Sequence, residues 1–433
     1  MELTTLYKRV VGLDVHQAKI TACAITEDEA GNVGVELAEF GGFKRDRKAL
    51  AQWVAGHRPE VVVMESTGIY WKSPYVALEA VGIAATVVNA RHVKTVPGRK
   101  TDWADAQWLA MLARAGMLRA SFVPPAHFRA LRLVGRQRQK LVSILSGEKN
   151  RMHKLLGDSG IRLSVVVSDI HGVAARRMIK ALLEGKSPAE VLLLCGTQLK
   201  ADRAELLDAL DGDLTAEHRF VLQELMAHIE ELEQRIARFD LHLLTELAPY
   251  RTTLTLMQTI PGIDAIGAAL LLVEIGNDMD AFGSVDRLAS WVGICPGNNE
   301  SAGKRKSGRI RKGNPWIRRL LCEFAHAASR TQCAFKSKFE ALRLRRGHQR
   351  AIVAIAHKIL KTVFLLIRRQ THYRDSAVDF EAMSVARNAP RWLKMLKKHG
   401  FLPAAALPSS PCSAFHGINS QNVARLQHAT LSW

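Results

Sequence analysis

The order of strand and helix signals constrains the fold of this chain more than any other feature. In the first hundred residues, short apolar runs typical of strands come first and then alternate with segments typical of helices. Strands are predicted at Arg9–Asp14, Ile20–Ile25, Gly34–Gly41, Glu60–Met64 and Ala85–Asn89, and helices at Arg45–Ala55 and Ser73–Val81. Hairpin-like strands followed by strand–helix alternation predict a mixed sheet with helices on its faces.

Beyond Thr101 the strand signals nearly vanish and the pattern predicts helices. Two of them are expected at Asp102–Ala115 and Phe128–Leu156, the second long and basic. Farther on, an unbroken 3-4 spacing links the apolar residues Leu222, Leu225, Ile229, Leu232, Ile236, Phe239 and Leu243. This seam predicts a helix that pairs with another helix, either between subunits or within an intramolecular bundle.

A Pro-Gly turn between apolar segments marks the next region. Residues Thr259–Gly276 resemble a helix-hairpin-helix, in which backbone N–H groups at a glycine turn meet a phosphate, although Pro-Gly also marks plain turns. Helices are predicted at Ser284–Gly293, Pro315–Ser329 and Gln349–Arg369, and a loose tail beyond Phe401.

The charge balance indicates the class of partner. Lys and Arg number 61 against 41 Asp and Glu, so the chain carries +20. This excess of positive charge argues against a neutral metabolic enzyme and favours a polyanionic partner, above all nucleic acid. Its 6 cysteines form no CxxC pair, which argues against a zinc site or a disulfide framework. With neither a membrane-spanning run nor a signal peptide in view, a cytoplasmic protein is expected.

Four acidic residues suggest chemistry on a phosphodiester. Asp14 ends one predicted strand, Glu65 follows another, and Asp102 and Asp105 share one face at the start of a helix. Clustered carboxylates repel one another unless a cation neutralises them, and Mg²⁺ or Mn²⁺ prefers such oxygen ligands. Each acid alone also fits a turn or cap role. Together, in so basic a chain, they predict a divalent-metal site.

A basic, glycine-rich segment lies between Pro296 and Pro315, and it is predicted to form a loop. We expect it to contact nucleic-acid backbones through Lys304, Arg305, Lys306, Arg309, Arg311 and Lys312. Ser301 directly precedes these cations. A serine there either donates a hydrogen bond to phosphate, the commoner role, or acts as a nucleophile.

Several motifs resemble a known family. VGLDVHQAK at 11–19, VVMESTGIYW at 62–71 and KTDWADAQWLA at 100–110 resemble the N-terminal domain of IS110-family (DEDD-type, IS1111-like) transposases. The segment from PGIDAIGAALLL to ASWVGICPGNNESAGK, with the following KGNPWIRRLL, resembles the C-terminal domain of that family. The resemblance covers most of residues 8–330.

The resemblance implies an α/β RuvC-like (RNase H-type) catalytic domain at 1–125, followed by a coiled-coil-like oligomerisation region at 126–250. A mainly α-helical transposase domain would occupy 251–345, a basic helical extension 346–400 and the tail 401–433. It implies that Asp14, Glu65, Asp102 and Asp105 bind Mg²⁺, and that Ser301 forms a transient phosphoserine link to DNA. Ser307 is a rival, because Ala302 replaces a glycine that family members often show.

The resemblance also implies partners. These are the element-end and target DNA, a structured guide RNA encoded by the element, and further copies of the chain, from dimer to tetramer, near the bacterial nucleoid. The four acids and Ser301 would come together either within one chain or across a boundary between subunits.

Three other functions compete with recombination. One is a metal-dependent nuclease or resolvase in which water attacks and Ser301 only binds phosphate. Another is an inactive nucleic-acid-binding protein. The presence of all four acids argues against it, because a decayed enzyme would be expected to lose some of them. An actin-like ATPase ranks lowest, since no GxxxxGK[ST] loop is present.

Overall fold

The computed structural model describes residues 5–66, 68–89, 102–193, 202–295, 299–301, 304–307, 310, 312–376 and 378–401; at 102–104, 299–301 and 304–307 it describes the backbone course only. Contacts divide the chain into two compact units, which are described separately. The first comprises residues 1–254 and 265–292, and the second residues 255–264 and 293–433.

A five-stranded mixed sheet organises the first unit. Its strands are β1 (Arg9–Val15), β2 (Lys19–Glu27), β3 (Val33–Gly41), β4 (Val61–Glu65) and β5 (Ala85–Val88), in the order β3-β2-β1-β4-β5. The first three strands pair antiparallel, and β4 and β5 run parallel to β1. The predicted mixed sheet is confirmed, and its arrangement fits the RNase H-type domain that the resemblance implied.

Helices cover both faces of this sheet. Alternate residues of β1 point to opposite faces, as in any strand. Val11 and Leu13 share a core with α1 (Lys44–Gly56) and α2 (Lys72–Glu79). On the other face, Val10 shares a core with α3 (Asp102–Arg114). The sheet is therefore the central layer, and α3 alone among these helices covers the face to which Asp14 belongs by alternation.

Gly12 permits the close contact between α3 and the sheet. A Cβ built at Gly12 would lie 2.6 Å from the Ala110 nitrogen and closer still to the Ala106 oxygen, both helix backbone. We expect Gly12→Ala to lower the free energy of unfolding by about 3 kcal/mol, because α3 must move off the strand. Urea unfolding followed by tryptophan fluorescence measures this.

The matched control is Gly56→Ala. Gly56 ends α1, and its added Cβ would meet nothing within 4 Å. We expect a change of less than about 1 kcal/mol, in the stabilising direction. Equal losses in the two variants would contradict the tight contact at Gly12.

Two long helices form the helical part of the first unit. They are α4 (Ala126–Asp158) and α9 (Ala216–Glu246). The predicted 3-4 seam is buried within the chain, since Leu232 and Ile236 pack with Leu141 of α4. Of the two alternatives for the seam, the structure shows packing within an intramolecular bundle, and a contribution of these residues to joining subunits stays a prediction. The expected homo-oligomer stays a prediction.

Ion pairs reinforce this bundle. Arg138 interrupts the heptad of α4 and binds Asp240 of α9 through two hydrogen bonds of 2.7 and 3.1 Å. Arg176 binds Glu233 at 2.7 Å, and Lys149 lies 2.9 Å from the same carboxylate. Mainly through Arg176, these partners lower the pKa of Glu233 to about 2.

Shorter helices complete the first unit. They are α5 (Leu163–Val166), α6 (Val173–Leu183), α7 (Pro188–Leu193), α8 (Arg203–Leu210), α11 (Ala265–Ile275) and α12 (Val285–Val292). Of these, α11 is almost entirely buried and packs on α4. Helix α10 (Arg251–Gln258) crosses the boundary between the two units.

The second unit is mainly helical. It contains α13 (Pro315–Ala328), α14 (Ala334–Arg346), α15 (His348–Arg369) and α16 (Phe380–Lys398), together with a short ribbon of β6 (Asn299–Ser301) and β7 (Lys304–Ser307). Helix α15 packs on α13 and α14 and buries Ile355, Ile359 and Val363. The predicted extension 346–400 thus supplies much of this core. The predicted domain boundaries stay predictions, and residues 402–433 of the predicted tail lie outside the described residues.

The predicted helix-hairpin-helix segment, Thr259–Gly276, contains a turn and one helix, α11, while α10 ends at Gln258, just before the segment. The turn residue Gly262 has a φ of +92°, and a Cβ there would lie 2.5 Å from the Phe324 oxygen of α13. Close packing within the second unit therefore explains this glycine, and phosphate binding by the turn stays a prediction. No helix among the described residues is long and apolar enough to cross a membrane.

Candidate active site

Asp14 and Glu65 lie at equivalent positions of neighbouring parallel strands. In the β1–β4 pairing, Leu13 lies opposite Met64, so the next position in that register places Asp14 beside Glu65. Residues in register on adjacent strands point to the same face. That face carries Val10 and Val63, and it is covered by α3. The backbone thus brings both carboxylates to one edge of one face.

The direction of α3 brings the other two acids to the same edge. At the C-terminal end of α3, the Arg114 oxygen accepts hydrogen bonds from Leu6 and Tyr7, just before β1 begins, at 2.9 and 3.2 Å. In its middle, Ala106 and Ala110 lie over Gly12. The helix therefore runs antiparallel to β1, and its first turn lies toward Asp14. That turn contains Asp102 and Asp105.

The surroundings of Asp14 are mostly closed to solvent. Its exposed fraction is 7 %, and Oδ2 lies 3.0 Å from Nε2 of His16. The His16 backbone donates to the Lys19 oxygen in the β1–β2 turn, so His16 is a turn residue that also contacts the candidate site. Directly opposite Asp14 on β2, Thr21 is fully buried, and its hydroxyl has no hydrogen-bond partner among the described residues.

This edge fits a hard divalent cation by the chemistry of its donors. Asp14, Glu65 and Asp105 offer carboxylate oxygens, the ligands that Mg²⁺ and Mn²⁺ prefer. Thr21 adds a buried hydroxyl without a partner on the same face, next to Asp14. The side chain of Asp102 lies outside the described part. Within the described part, no three His, Cys, Asp or Glu residues group as a metal cluster.

Ser301 and its basic neighbours occupy a β-ribbon in the second unit. Ser301 ends β6 and pairs with Lys304, the first residue of β7. Arg305 and Lys306 continue β7, and Ser307, the rival serine, ends it. We expected a basic loop here, and at 304–307 the backbone is instead a strand. Lys312 is exposed, while Arg309 and Arg311 lie outside the described residues.

Sequence reasoning missed the roles of two buried polar residues. The hydroxyl of Thr21 occurs within an apolar strand, and only the strand register places it beside Asp14. Glu274 lies within the apolar segment 265–275, yet it is 2 % exposed and accepts two hydrogen bonds from Arg136. A polar residue inside an apolar run was the available signal for both.

Comparisons with known proteins agree with the resemblance. Residues 11–159 match a family profile described as "Transposase", of the DEDD IS110 type. Residues 254–340 match the profile "Transposase IS116/IS110/IS902 family". The two matches correspond to the two halves of the motif set quoted above.

Individual relatives named as transposases match this chain over most of their length. The chain is 28% identical over 328 residues to the "Probable family 20 transposase" of Pseudomonas aeruginosa PAO1, covering 73% of this chain and 86% of the relative. It is 25% identical over 377 residues to the "Transposase for insertion sequence element IS1111A" of Coxiella burnetii, covering 85% and 92%.

Among solved structures, RuvC of Thermus thermophilus matches 26% of this chain and 99% of its own, with 15% sequence identity and a TM-score of 0.22. A score this low supports no conclusion about the chain. The two profiles and the relatives together show that the chain belongs to the IS110 family of insertion sequence transposases and is a DNA transposase.

Proposed function

We propose that this transposase cuts and rejoins the DNA of an insertion sequence with Mg²⁺ held by Asp14, Glu65, Asp102 and Asp105, and with Ser301 as the nucleophile. One observation carries the metal site: the β1–β4 register puts Asp14 beside Glu65, and α3 runs antiparallel to β1, toward that pair. From this arrangement we infer that the four acids, which come from three separate segments of the sequence, lie at one edge of the domain.

Each part of the chain has a definite role in this proposal. Bound Mg²⁺ supplies positive charge that stabilises the developing charge on a phosphodiester. The carboxylates would hold it, and His16 and the hydroxyl of Thr21 are polar groups next to Asp14. Burial of Asp14 favours binding, because ion pairing is stronger where water is excluded.

Ser301 performs the covalent step. Its hydroxyl loses a proton, Oγ forms a bond to phosphorus, and one ester oxygen leaves as a free hydroxyl after taking up a proton. The reverse step, with a hydroxyl of another strand, breaks the serine ester and rejoins DNA. Support comes from the position of Ser301 beside Lys304, Arg305 and Lys306 in the ribbon, since cations favour the approach of a phosphate.

The partners follow from the same proposal. Element-end and target DNA are the substrates, and the net charge of +20 suits backbones of nucleic acid. Selection of the sites by an element-encoded RNA is included in the proposal on the strength of the family resemblance.

A covalent protein–DNA adduct tests the proposal. With Mg²⁺, element-junction DNA and RNA transcribed from the element flanks, we expect the full-length chain to form an adduct that resists denaturant and disappears with protease. Ser301→Ala should abolish the adduct because no Oγ is left to attack. Asp102→Ala should abolish it because metal binding is lost. The measurement is a denaturing gel of labelled DNA.

Ser307→Ala is the control, and it should still form the adduct. Mg²⁺-dependent cleavage that survives Ser301→Ala without any adduct would replace the proposal with a nuclease in which water attacks. An adduct lost in Ser307→Ala and kept in Ser301→Ala would move the nucleophile to Ser307.

A further inference from the structure

Three loops meet beside the edge that holds Asp14 and Glu65. The β1–β2 turn carries Gln17 and Ala18, three and four residues after Asp14. The loop before α1 contacts this turn, because the Gly42 nitrogen donates to the Ala18 oxygen at 2.9 Å. The loop after β4 contacts it as well, through a hydrogen bond of 3.2 Å from the Tyr70 hydroxyl to Oε1 of Gln17. Both outer loops therefore lie at the carboxyl end of β1.

These loops expose large apolar side chains. Phe43 is 71 % exposed, Ile69 69 % and Tyr70 37 %. The next residue, Trp71, behaves differently and packs edge-on against Tyr75 beside the core of the sheet. The hydrogen bond to Gln17 holds the Tyr70 ring at the surface. Large apolar side chains that are exposed on loops contacting one turn are typical of binding sites. We call Phe43, Ile69 and Tyr70 the platform.

Cations lie directly next to the platform. Lys44 and Arg45 follow Phe43 in the first turn of α1, and Lys48 is exposed one turn later. The Arg45 side chain is 86% exposed. Rings that stack on bases, combined with cations that contact phosphates, form the usual design of surfaces for unpaired nucleic acid.

We propose that the platform stacks on unpaired bases of the DNA strand next to the phosphodiester that is cut, while Lys44, Arg45 and Lys48 contact the phosphates of that strand. The inference rests on the proposed function in one respect, namely that DNA is cut at the edge with Asp14. Strand exchange exposes unpaired bases, and a sequence-tolerant stacking surface holds such bases whatever their identity.

The test compares two probes that carry the same phosphates. We would measure binding of the full-length chain, in EDTA, to a fluorescent dT 12-mer and to an abasic 12-mer. Removing one aromatic ring that stacks on a base lowers the affinity roughly 5- to 150-fold. Phe43→Ala with Tyr70→Ala should therefore weaken dT 12-mer binding at least about tenfold and leave abasic binding nearly unchanged. Lys44→Ala with Arg45→Ala should weaken both probes and reduce the salt dependence.

Phe220→Ala is the matched control, because Phe220 is an aromatic residue of the same unit that is 64 % exposed. It should change neither affinity. Crosslinks from 5-iodouracil in the dT probe should map to the peptides with Phe43 and Tyr70. Equal weakening of both probes by the ring variants, or crosslinks only elsewhere, would overturn the platform. A preference for rU over dT 12-mer that depends on the rings would assign it to RNA instead. Both probes are measured in EDTA, without bound metal, so failure of the metal site would not imitate failure of the platform.

Discussion

Glu65→Gln is expected to reduce Mg²⁺-dependent DNA cleavage about 1,000-fold or more, while the protein remains folded. The replacement keeps the size of the side chain and removes its negative charge. Glu65 ends β4 beside Asp14, so the neutral amide leaves the cation with a weaker ligand set at that edge. We also expect Mn²⁺ affinity to fall at least about tenfold. Single-turnover cleavage and a Mn²⁺ titration followed by electron paramagnetic resonance measure the two effects.

Glu39→Gln provides the comparison. Glu39 lies on β3, three strands from Glu65 in the same sheet, opposite Thr21 in the β2–β3 register, and pairs with Lys19 at the surface. Glu39 carries the same charge on the same sheet as Glu65, but it is not at the end of a strand next to Asp14. We expect unchanged cleavage and Mn²⁺ binding. If Glu65→Gln retains wild-type Mn²⁺ affinity, the acids do not form a metal site.

Glu274→Ala is expected to lower the free energy of unfolding by about 3–5 kcal/mol. Glu274 is buried in α11, and Arg136 of α4 binds its two carboxylate oxygens at 2.7 and 2.9 Å. Arg132 lies 3.3 Å from the same carboxylate and also donates to the Glu274 backbone oxygen. Burial lowers the pKa of Arg132 to about 10, against the raising effect of Glu274. Removing the carboxylate leaves buried positive charge without compensation.

Urea unfolding of the full chain measures this loss, with Glu231→Ala as the control. Glu231 forms an exposed ion pair with Arg235 one helical turn away on α9. Such exposed pairs contribute about 0.5 kcal/mol or less. A loss of similar size in the two variants would mean that Glu274 acts as an ordinary surface charge and that its ion pairs with Arg132 and Arg136 do not hold α11 against α4.

The strands of the first unit were predictable because their signal is local. Alternating or continuous β-branched residues place β1, β2, β4 and β5 within about two residues of the predicted bounds. The basic segment after Ser301 behaved differently. Glycine and exposed cations carry no periodic signal, so the ribbon of β6 and β7 was expected as a loop.

The candidate site was only partly predictable for a related reason. Asp14 and Glu65 were expected at one edge because each ends an apolar strand, and the register places them side by side. The apolar spacing of α9 likewise predicted that one face of this helix pairs with another helix. It did not identify α4 as the partner, because a periodic apolar stripe specifies that a face is buried and not by which element.

Residue pattern alone thus determined the mixed sheet, the helical remainder, the basic character and the family. Tertiary packing decided that α3 runs antiparallel to β1 over Gly12, that Thr21 lies opposite Asp14, and that Gly42 and Tyr70 contact the same turn. The physical reason is range. Propensity and periodicity act over a few neighbouring residues, whereas the direction of a helix on a sheet depends on close contacts between segments almost a hundred residues apart.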